Sequence, residues 1–213
     1  FLAYRISDDR WERLPLPTGA DGGYRIIPVG ERIVAYAVGD ESGEDPDFLF
    51  DPVSATWSRV PPDPLSPSFD RSMVWSGREL VLFDHELVPN PGSVKPSLTR
   101  AAALDLATGL WRRLPDSEIL ASGPWVHING RLVNPTPGGA DGGAVNNWGR
   151  RYPHGGILDP ASGEWSTLPE PANREIDVGS GVLTESRGHF FGSGGWLLDL
   201  TKNAWIELPR LDA

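Results

Sequence analysis

The chain has 213 residues, 29 acidic against 19 basic side chains for a formal net charge of −10, and no cysteine. That length fits one domain with a substantial core. The acidic balance argues against a nucleic-acid partner, whose binders gather Lys and Arg on one face, and the missing thiols exclude disulfides, thiolate metal ligands and a cysteine nucleophile.

No run approaches the roughly 18 to 20 apolar residues that a helical membrane span needs, so a soluble chain without such a span is expected. The 25 Gly and 21 Pro would fit a disordered chain, were it not for nine Trp and seven Phe. These aromatics bury enough apolar area to offset ordering entropy, which makes the Gly and Pro turn punctuation between short strands.

In chain order, one phrase recurs: Trp11-Glu12-Arg13-Leu14-Pro15, Trp57-Ser58-Arg59-Val60-Pro61, Trp111-Arg112-Arg113-Leu114-Pro115, Trp165-Ser166-Thr167-Leu168-Pro169 and Trp205-Ile206-Glu207-Leu208-Pro209. The tryptophans are 46, 54, 54 and 40 residues apart, a period of propeller blades rather than of short solenoid repeats. Residues 1–17 supply only the outer hairpin of an incomplete unit. The later units span approximately 22–64, 69–116, 122–170 and 176–211.

Six residues before the Trp stand Asp51, Asp105, Asp159 and Asp199, with Arg5 in the first unit. Each Asp follows apolar residues and opens a tight turn whose backbone N–H groups its carboxylate can accept. Gly109, Gly163 and Asn203 lie two before the Trp, where such a turn demands positive φ.

Upstream in each unit lies a second hairpin. Ile26–Val29 and Ile33–Val38 flank Gly30-Glu31, Met73–Trp75 and Leu80–Phe83 flank Gly77-Arg78, Trp125–Ile128 and Leu132-Val133 flank Asn129-Gly130, and Val182-Leu183 and His189–Phe191 flank Arg187-Gly188. Asn-Gly between apolar runs is the strongest of these signals. Helical periodicity is absent apart from a single turn expected near Asp116 to Ala121. The expectation is an all-β chain forming one domain over 1–213: about four complete four-stranded blades plus an N-terminal outer hairpin.

Phe50-Asp51-Pro52-Val53-Ser54-Ala55-Thr56-Trp57 and Leu158-Asp159-Pro160-Ala161-Ser162-Gly163-Glu164-Trp165 resemble the kelch family, whose blades pair such a phrase with an apolar strand and a Leu-Pro ending. The resemblance covers essentially the whole chain and implies a kelch-type β-propeller. It departs at the family's Gly-Gly doublet, met only by Gly194-Gly195, while Asp84-His85 and Pro135-Thr136 occupy comparable places. Kelch rings usually hold six or seven blades, so completion of the ring by further N-terminal sequence or by a second chain is expected. The resemblance also slightly favours an extracytoplasmic or secreted location.

Ligands of propellers meet loops at one mouth of the channel. The longest such loop, Asn134 to Gly156, is rich in Gly and carries Trp148, Arg150, Arg151, Tyr152 and His154. Stacking and bidentate hydrogen bonds from these side chains suit an anionic or carbohydrate ligand, and a loop of this length inside a domain is more often functional or mobile than neutral. A second segment, Asp84 to Arg100, carries His85, Glu86, Lys95 and Arg100 and reads as a solvated loop, with His85 the further ligand-binding candidate. The third, Gly39 to Asp47, is acidic but lacks the alternation of a calcium loop, and reads as a charged turn.

The histidines, His85, His127, His154 and His189, lie in separate units without metal-ligand spacing, so no metal and no cofactor are expected. No Gly-x-Ser-x-Gly, phosphate loop or His-Glu-x-x-His occurs. The reading from sequence is a non-enzymatic scaffold for protein or glycan recognition. The alternative is an enzyme on a carbohydrate or small polar substrate, of mutarotase, hydrolase or lyase type, with Arg, His and Glu at the channel mouth.

Overall fold

Alternating apolar runs broken by Gly turns should give short antiparallel strands, and they do so in one repeated order. The computed structural model describes residues 2–20, 22–38, 44–86, 98–121, 123–135, 155–169, 182–184, 189–191 and 196–209. A hairpin of β1 (Leu2–Arg5) and β2 (Arg10–Arg13) comes first. Then follow β3 (Tyr24–Val29), β4 (Arg32–Ala37), β5 (Phe48–Asp51) and β6 (Thr56–Arg59), and next β7 (Ser68–Trp75), β8 (Leu80–Glu86), β9 (Thr99–Asp105) and β10 (Leu110–Arg113). The third set is β11 (Val126–Ile128), β12 (Arg131–Asn134), β13 (Gly156–Leu158) and β14 (Trp165–Ser166), and the fourth β15 (Val182–Thr184), β16 (His189–Phe191), β17 (Trp196–Asp199) and β18 (Ala204–Glu207).

Each set of four is one antiparallel sheet with its strands side by side in chain order. The chain is thus all-β and propeller-like among the described residues. The turn expected near Asp116 to Ala121 is not helical: the segment is irregular up to a bridge at Leu120, because the Ser117 hydroxyl donates to the Thr99 carbonyl at 2.6 Å and accepts the Ile119 N–H at 3.2 Å. A short 3-10 turn occurs instead at Ile6–Asp8.

Side-chain alternation explains the stacking of the sheets. Along β8, Leu80 and Leu82 pack toward the preceding sheet with Val34, Tyr36 and Leu49, whereas Val81 and Phe83 pack toward the following sheet with Trp125, Leu132 and Leu158. Both faces being buried, β8 and β9 read as continuous apolar runs. Ala101, Ala102 and Ala103 keep β9 thin enough for close approach on either side, and Phe83 stacks on Trp125 with ring centroids 4.0 Å apart. A third apolar cluster joins Ile128, Val133 and Ile157 to Leu198 and Trp205.

The repeated phrase is a joint between units. Each indole N–H donates to the carbonyl of the Pro that ends the phrase one unit earlier: Trp57 to Pro15 at 2.9 Å, Trp111 to Pro61 at 2.9 Å, Trp165 to Pro115 at 2.8 Å and Trp205 to Pro169 at 3.0 Å. A Pro ends the outer strand because it has no N–H to extend the ladder, and a packed indole needs an acceptor. Arg112 adds a further tie, binding Glu79 through both oxygens and the Pro160 carbonyl of the next unit at 2.6 Å.

The Asp turns form as read. Oδ1 of Asp51, Asp105, Asp159 and Asp199 each accepts the backbone N–H groups two and three residues on, at 2.8–3.3 Å. The position two before every repeated Trp has positive φ, filled by Asp9, Ala55, Gly109, Gly163 and Asn203. At Gly163, with φ +78°, a Cβ would stand 2.7 Å from Pro115 Cδ, so the turn is held glycine-only by its own conformation and by the previous unit.

Candidate functional site

At the end of the sheets where second strands hand over to third strands, polar side chains replace the apolar core. The cause is local to β7. Its register against β8 runs Phe69 with His85 and then Ser72 with Phe83, so Asp70 and Arg71 together oppose Asp84. Such a bulge breaks the in–out alternation and re-aims side chains. Asp70 takes left-handed φ +54° and keeps its side chain 53% exposed, while Arg71 turns into the seam between sheets.

Arg71 grips Asp47, which lies just before β5 of the preceding sheet, through two bonds of 2.7 and 3.2 Å. It also reaches Asp63 at 3.1 Å and the Ala37 carbonyl at 2.9 Å. Asp47 accepts the Ala37 N–H as well, and Asp63 accepts both the N–H and hydroxyl of Ser66 and the N–H of Leu65. Burial works against the Arg71 charge, but Asp47, Asp63 and Asp84 more than offset it, so its pKa is raised and it stays a cation. The bidentate geometry suits a guanidinium and no other cation.

Beside it, Arg100 of β9 binds the fully buried Asp84 at 2.9 Å and the Leu65 carbonyl at 2.8 Å. Burial pushes the Asp84 carboxyl upward, opposed by Arg100 and by the nearby Ser68 hydroxyl, which does not reach hydrogen-bond geometry.

His85 completes the cluster. Its Nε2 lies 3.1 Å from Thr99 Oγ1, its ring packs on Phe69, and Nδ1 faces Asp70 Oδ2 at 3.8 Å. Thr99 in turn accepts the Ala121 N–H at 2.9 Å. Burial pulls the His85 pKa below the ordinary value of 6.5, with Asp70 raising and Arg100 lowering it. The Thr99 hydroxyl also donates to the Ala121 carbonyl at 3.3 Å, and the His85 Nδ1 is buried without a hydrogen-bond partner among the described residues. Asp70, His85 and Thr99 stand in a row without a continuous hydrogen-bonded chain, and the hydroxyl is sealed in the core, where it cannot meet a substrate.

The segment Asp84 to Arg100 is therefore not a solvated loop where it is described. Asp84, His85 and Arg100 continue β8 and β9 into the core, because each charge finds an opposite charge or a hydroxyl as the sheets stack. Asp47 is likewise a buried partner of Arg71 rather than part of a charged turn. His85 is a buried strand residue, and its Nδ1, on the Asp70 side, is buried as well. Trp148, Arg150, Arg151, Tyr152 and His154 lie outside the described residues, as does Lys95. His127 is half-buried beneath the turn of the previous unit, where a Cβ on Gly77 would meet its ring at 3.3 Å.

Asp63, Asp70, Arg71 and Thr99 were not legible as site residues. The one sequence signal is a strand, Ser68-Phe69-Asp70-Arg71-Ser72, whose polar residues fail to alternate. Among the described residues no group of three or more His, Asp or Glu is placed to hold a metal ion, and no helix is long and apolar enough to cross a membrane.

No family model and no curated protein matches the chain. The fold is similar to a solved structure described as the structure of YjhT, with a TM-score of 0.54 and 13% sequence identity, covering 95% of this chain and 68% of that one. At that identity the likeness concerns the fold alone.

Proposed function

We propose that the chain is a kelch-type propeller scaffold whose sheets are successive blades, and that it recognises a protein or glycan through the connections between second and third strands. One observation carries this reading. The ionisable groups at the base of those connections are consumed by one another, Arg71 by Asp47 of the preceding sheet and by Asp63, and Arg100 by its cross-strand partner Asp84, rather than turned toward an open site. Buried pairs of this kind fix geometry, and a rigid frame under variable loops is how binding folds present side chains. The loop carrying Trp148, Arg150, Arg151, Tyr152 and His154 is the first candidate for contact, since aromatic faces and guanidinium forks suit sugar rings and carboxylates.

Binding of the labelled chain to an array of neutral and acidic oligosaccharides, repeated with Trp148→Ala and Arg150→Ala/Arg151→Ala, tests this. Retention that falls about tenfold or more in the variants, the scale of losing one good contact, supports it. Retention unchanged by the variants overturns the role of this loop.

A second reading is favoured by the Asp70–His85 pair, in which an exposed carboxylate faces a neutral imidazole. An enzyme acting on a small polar substrate would draw its base from that pair. Turnover of reducing sugars, with a rate that depends on a group titrating below 6.5 and is lost in His85→Gln, would favour catalysis over recognition.

A further inference from the structure

Ser68 Oγ, Arg71 Nε and Asp84 Oδ2 are buried polar atoms of β7 and β8 that have no hydrogen-bond partner among the described residues. In native folds such atoms are almost always satisfied, by protein or by ordered water, so three of them on two paired strands call for a common cause. None is near solvent. Ser68 is 0% exposed, and the side chains of Arg71 and Asp84 are 4% and 0% exposed.

Strand register puts the three on one face. Asp84 alternates with Leu80 and Leu82, which pack toward the β3–β6 sheet, and Ser68 pairs with Glu86, two residues on from Asp84. The bulge sets Arg71 opposite Asp84 with its guanidinium turned to Asp47. Ser68 and Arg71 therefore flank the Asp84 carboxylate. Electrostatics agree: the Ser68 hydroxyl and the Asp63 charge both act on the Asp84 carboxyl, and Asp84 in turn acts on Arg71. The Arg71 Nε–H lies on the edge of the guanidinium that it shares with Nη2, the atom that reaches Asp63 at 3.1 Å.

The three atoms differ in what they need. Arg71 Nε only donates, an ionised Asp84 Oδ2 only accepts, and the Ser68 hydroxyl does either. A cation is repelled by the guanidinium and an anion by the carboxylate. Water accepts from the one and donates to the other, and a polar site with two to four partners is what a buried water takes. We propose that a single structural water is bound between Ser68 Oγ, Arg71 Nε and Asp84 Oδ2. It accepts the Nε–H, donates to Oδ2 and bonds the Ser68 hydroxyl with its remaining capacity. Arg71 is held by Asp47 and Asp63, and Asp84 holds Arg100, so this water joins the two sets of ion pairs into one hydrogen-bonded network.

A crystal structure at a resolution that shows ordered water, with thermal melting of two variants, tests the proposal. The expected density is one water within about 2.7–3.2 Å of both Arg71 Nε and Asp84 Oδ2, as well ordered as the side chains around it. Ser68→Ala takes one partner from that water and should lower the melting temperature by about 2–4 °C, the shift for one hydrogen bond at this chain length. A hydroxyl with no partner at all gives the opposite sign, because its removal relieves an unsatisfied group. Ser68→Val puts a methyl group where the water sits, so it should melt below Ser68→Ala. Oxygen-17 relaxation dispersion should then count one long-lived water fewer in Ser68→Val than in the parent chain. Empty density between the three atoms, an ion there, or a Ser68 hydroxyl bonded directly to Asp84 Oδ2 overturns the proposal. So does a Ser68→Ala variant that melts no lower than the parent, or a Ser68→Val variant that melts above Ser68→Ala, the order for a dry space filled by methyl groups.

Discussion

Replacing Arg71 by Met separates a structural clamp from a solvated surface charge. The side chain is 4% exposed and its partner Asp47 7%, so the substitution keeps the apolar stem and removes the guanidinium from a dry seam between two sheets. Asp63 then still holds three donors from Leu65 and Ser66. Asp47 keeps the Ala37 N–H and loses both bonds to Arg71. Removing one partner of a buried pair costs about 3–5 kcal/mol, and at this chain length each kcal/mol lowers the melting temperature by about 2–4 °C, so a drop of about 6–20 °C is expected. Asp47→Asn keeps the bond from Ala37 while discarding the charge. The double variant Asp47→Asn/Arg71→Met should therefore be more stable than the sum of the single effects by about 0.5–3 kcal/mol, the range for residues in contact. Urea unfolding followed by Trp fluorescence reads both quantities. A single-variant cost below about 1 kcal/mol, the scale of an exposed pair, or strict additivity in the double variant, would refute the clamp.

Other expectations follow from the turns and joints. Ala55 stands at φ 52° where Gly109 and Gly163 stand elsewhere; left-handed backbone costs an L-residue about 1–2 kcal/mol and Gly costs about 0.5–1 kcal/mol in entropy, so Ala55→Gly should stabilise by about 0.5–1 kcal/mol and Gly163→Ala should destabilise, both read by thermal melting. Trp111→Phe unpairs the Pro61 carbonyl and should cost about 1 kcal/mol for the hydrogen bond, beyond the change in ring area. Asp105 and Asp159 ionise below the ordinary carboxylate range because the backbone N–H groups of Ala107 and Ala161, then of Thr108 and Ser162, hold their charge. They therefore stabilise the fold above that range and lose the effect as pH falls through the lowered values, so replacing both by Ala should flatten the acid limb of the melting profile. Burial lowers the His85 pKa, so the unfolded chain binds the proton more readily and stability should fall as pH drops below about 6.5; His85→Gln, which can still bond Thr99, should remove that step.

How much of this was legible follows from the sequence distance over which each interaction acts. The Asp turns close within three residues, so Asp51-Pro52-Val53-Ser54 states both donor and acceptor in one phrase. Asn129-Gly130 likewise encodes its own hairpin, with φ of 50° and 78°. The Trp and Pro of the repeat were visible as a pattern, but their bond joins the Trp of one unit to the Pro of the unit before, 42, 50, 50 and 36 residues away. A motif can advertise such a joint without revealing which copy supplies each half.

The charged seam was illegible for a stronger reason: its local signals pointed the wrong way. Asp84-His85-Glu86 follows Val81-Leu82-Phe83 and reads as the point where an apolar strand gives way to solvent, since a lone buried carboxylate is strongly disfavoured. Only once β8 lies between β7 and β9, and the β7–β10 sheet lies against the β3–β6 sheet, do Arg100 and Arg71 arrive beside Asp84, Asp47 and Asp63. Each charge is then tolerable solely in the presence of the others. The bulge at Asp70 and Arg71 belongs to the same dependence, because a regular β7 would aim Arg71 differently and leave Asp47 and Asp63 facing each other without a cation between them. Cooperativity of this kind couples strand register to sheet stacking, so the ends of β7, β8 and β9 and the start of β5 are held together through one set of charges.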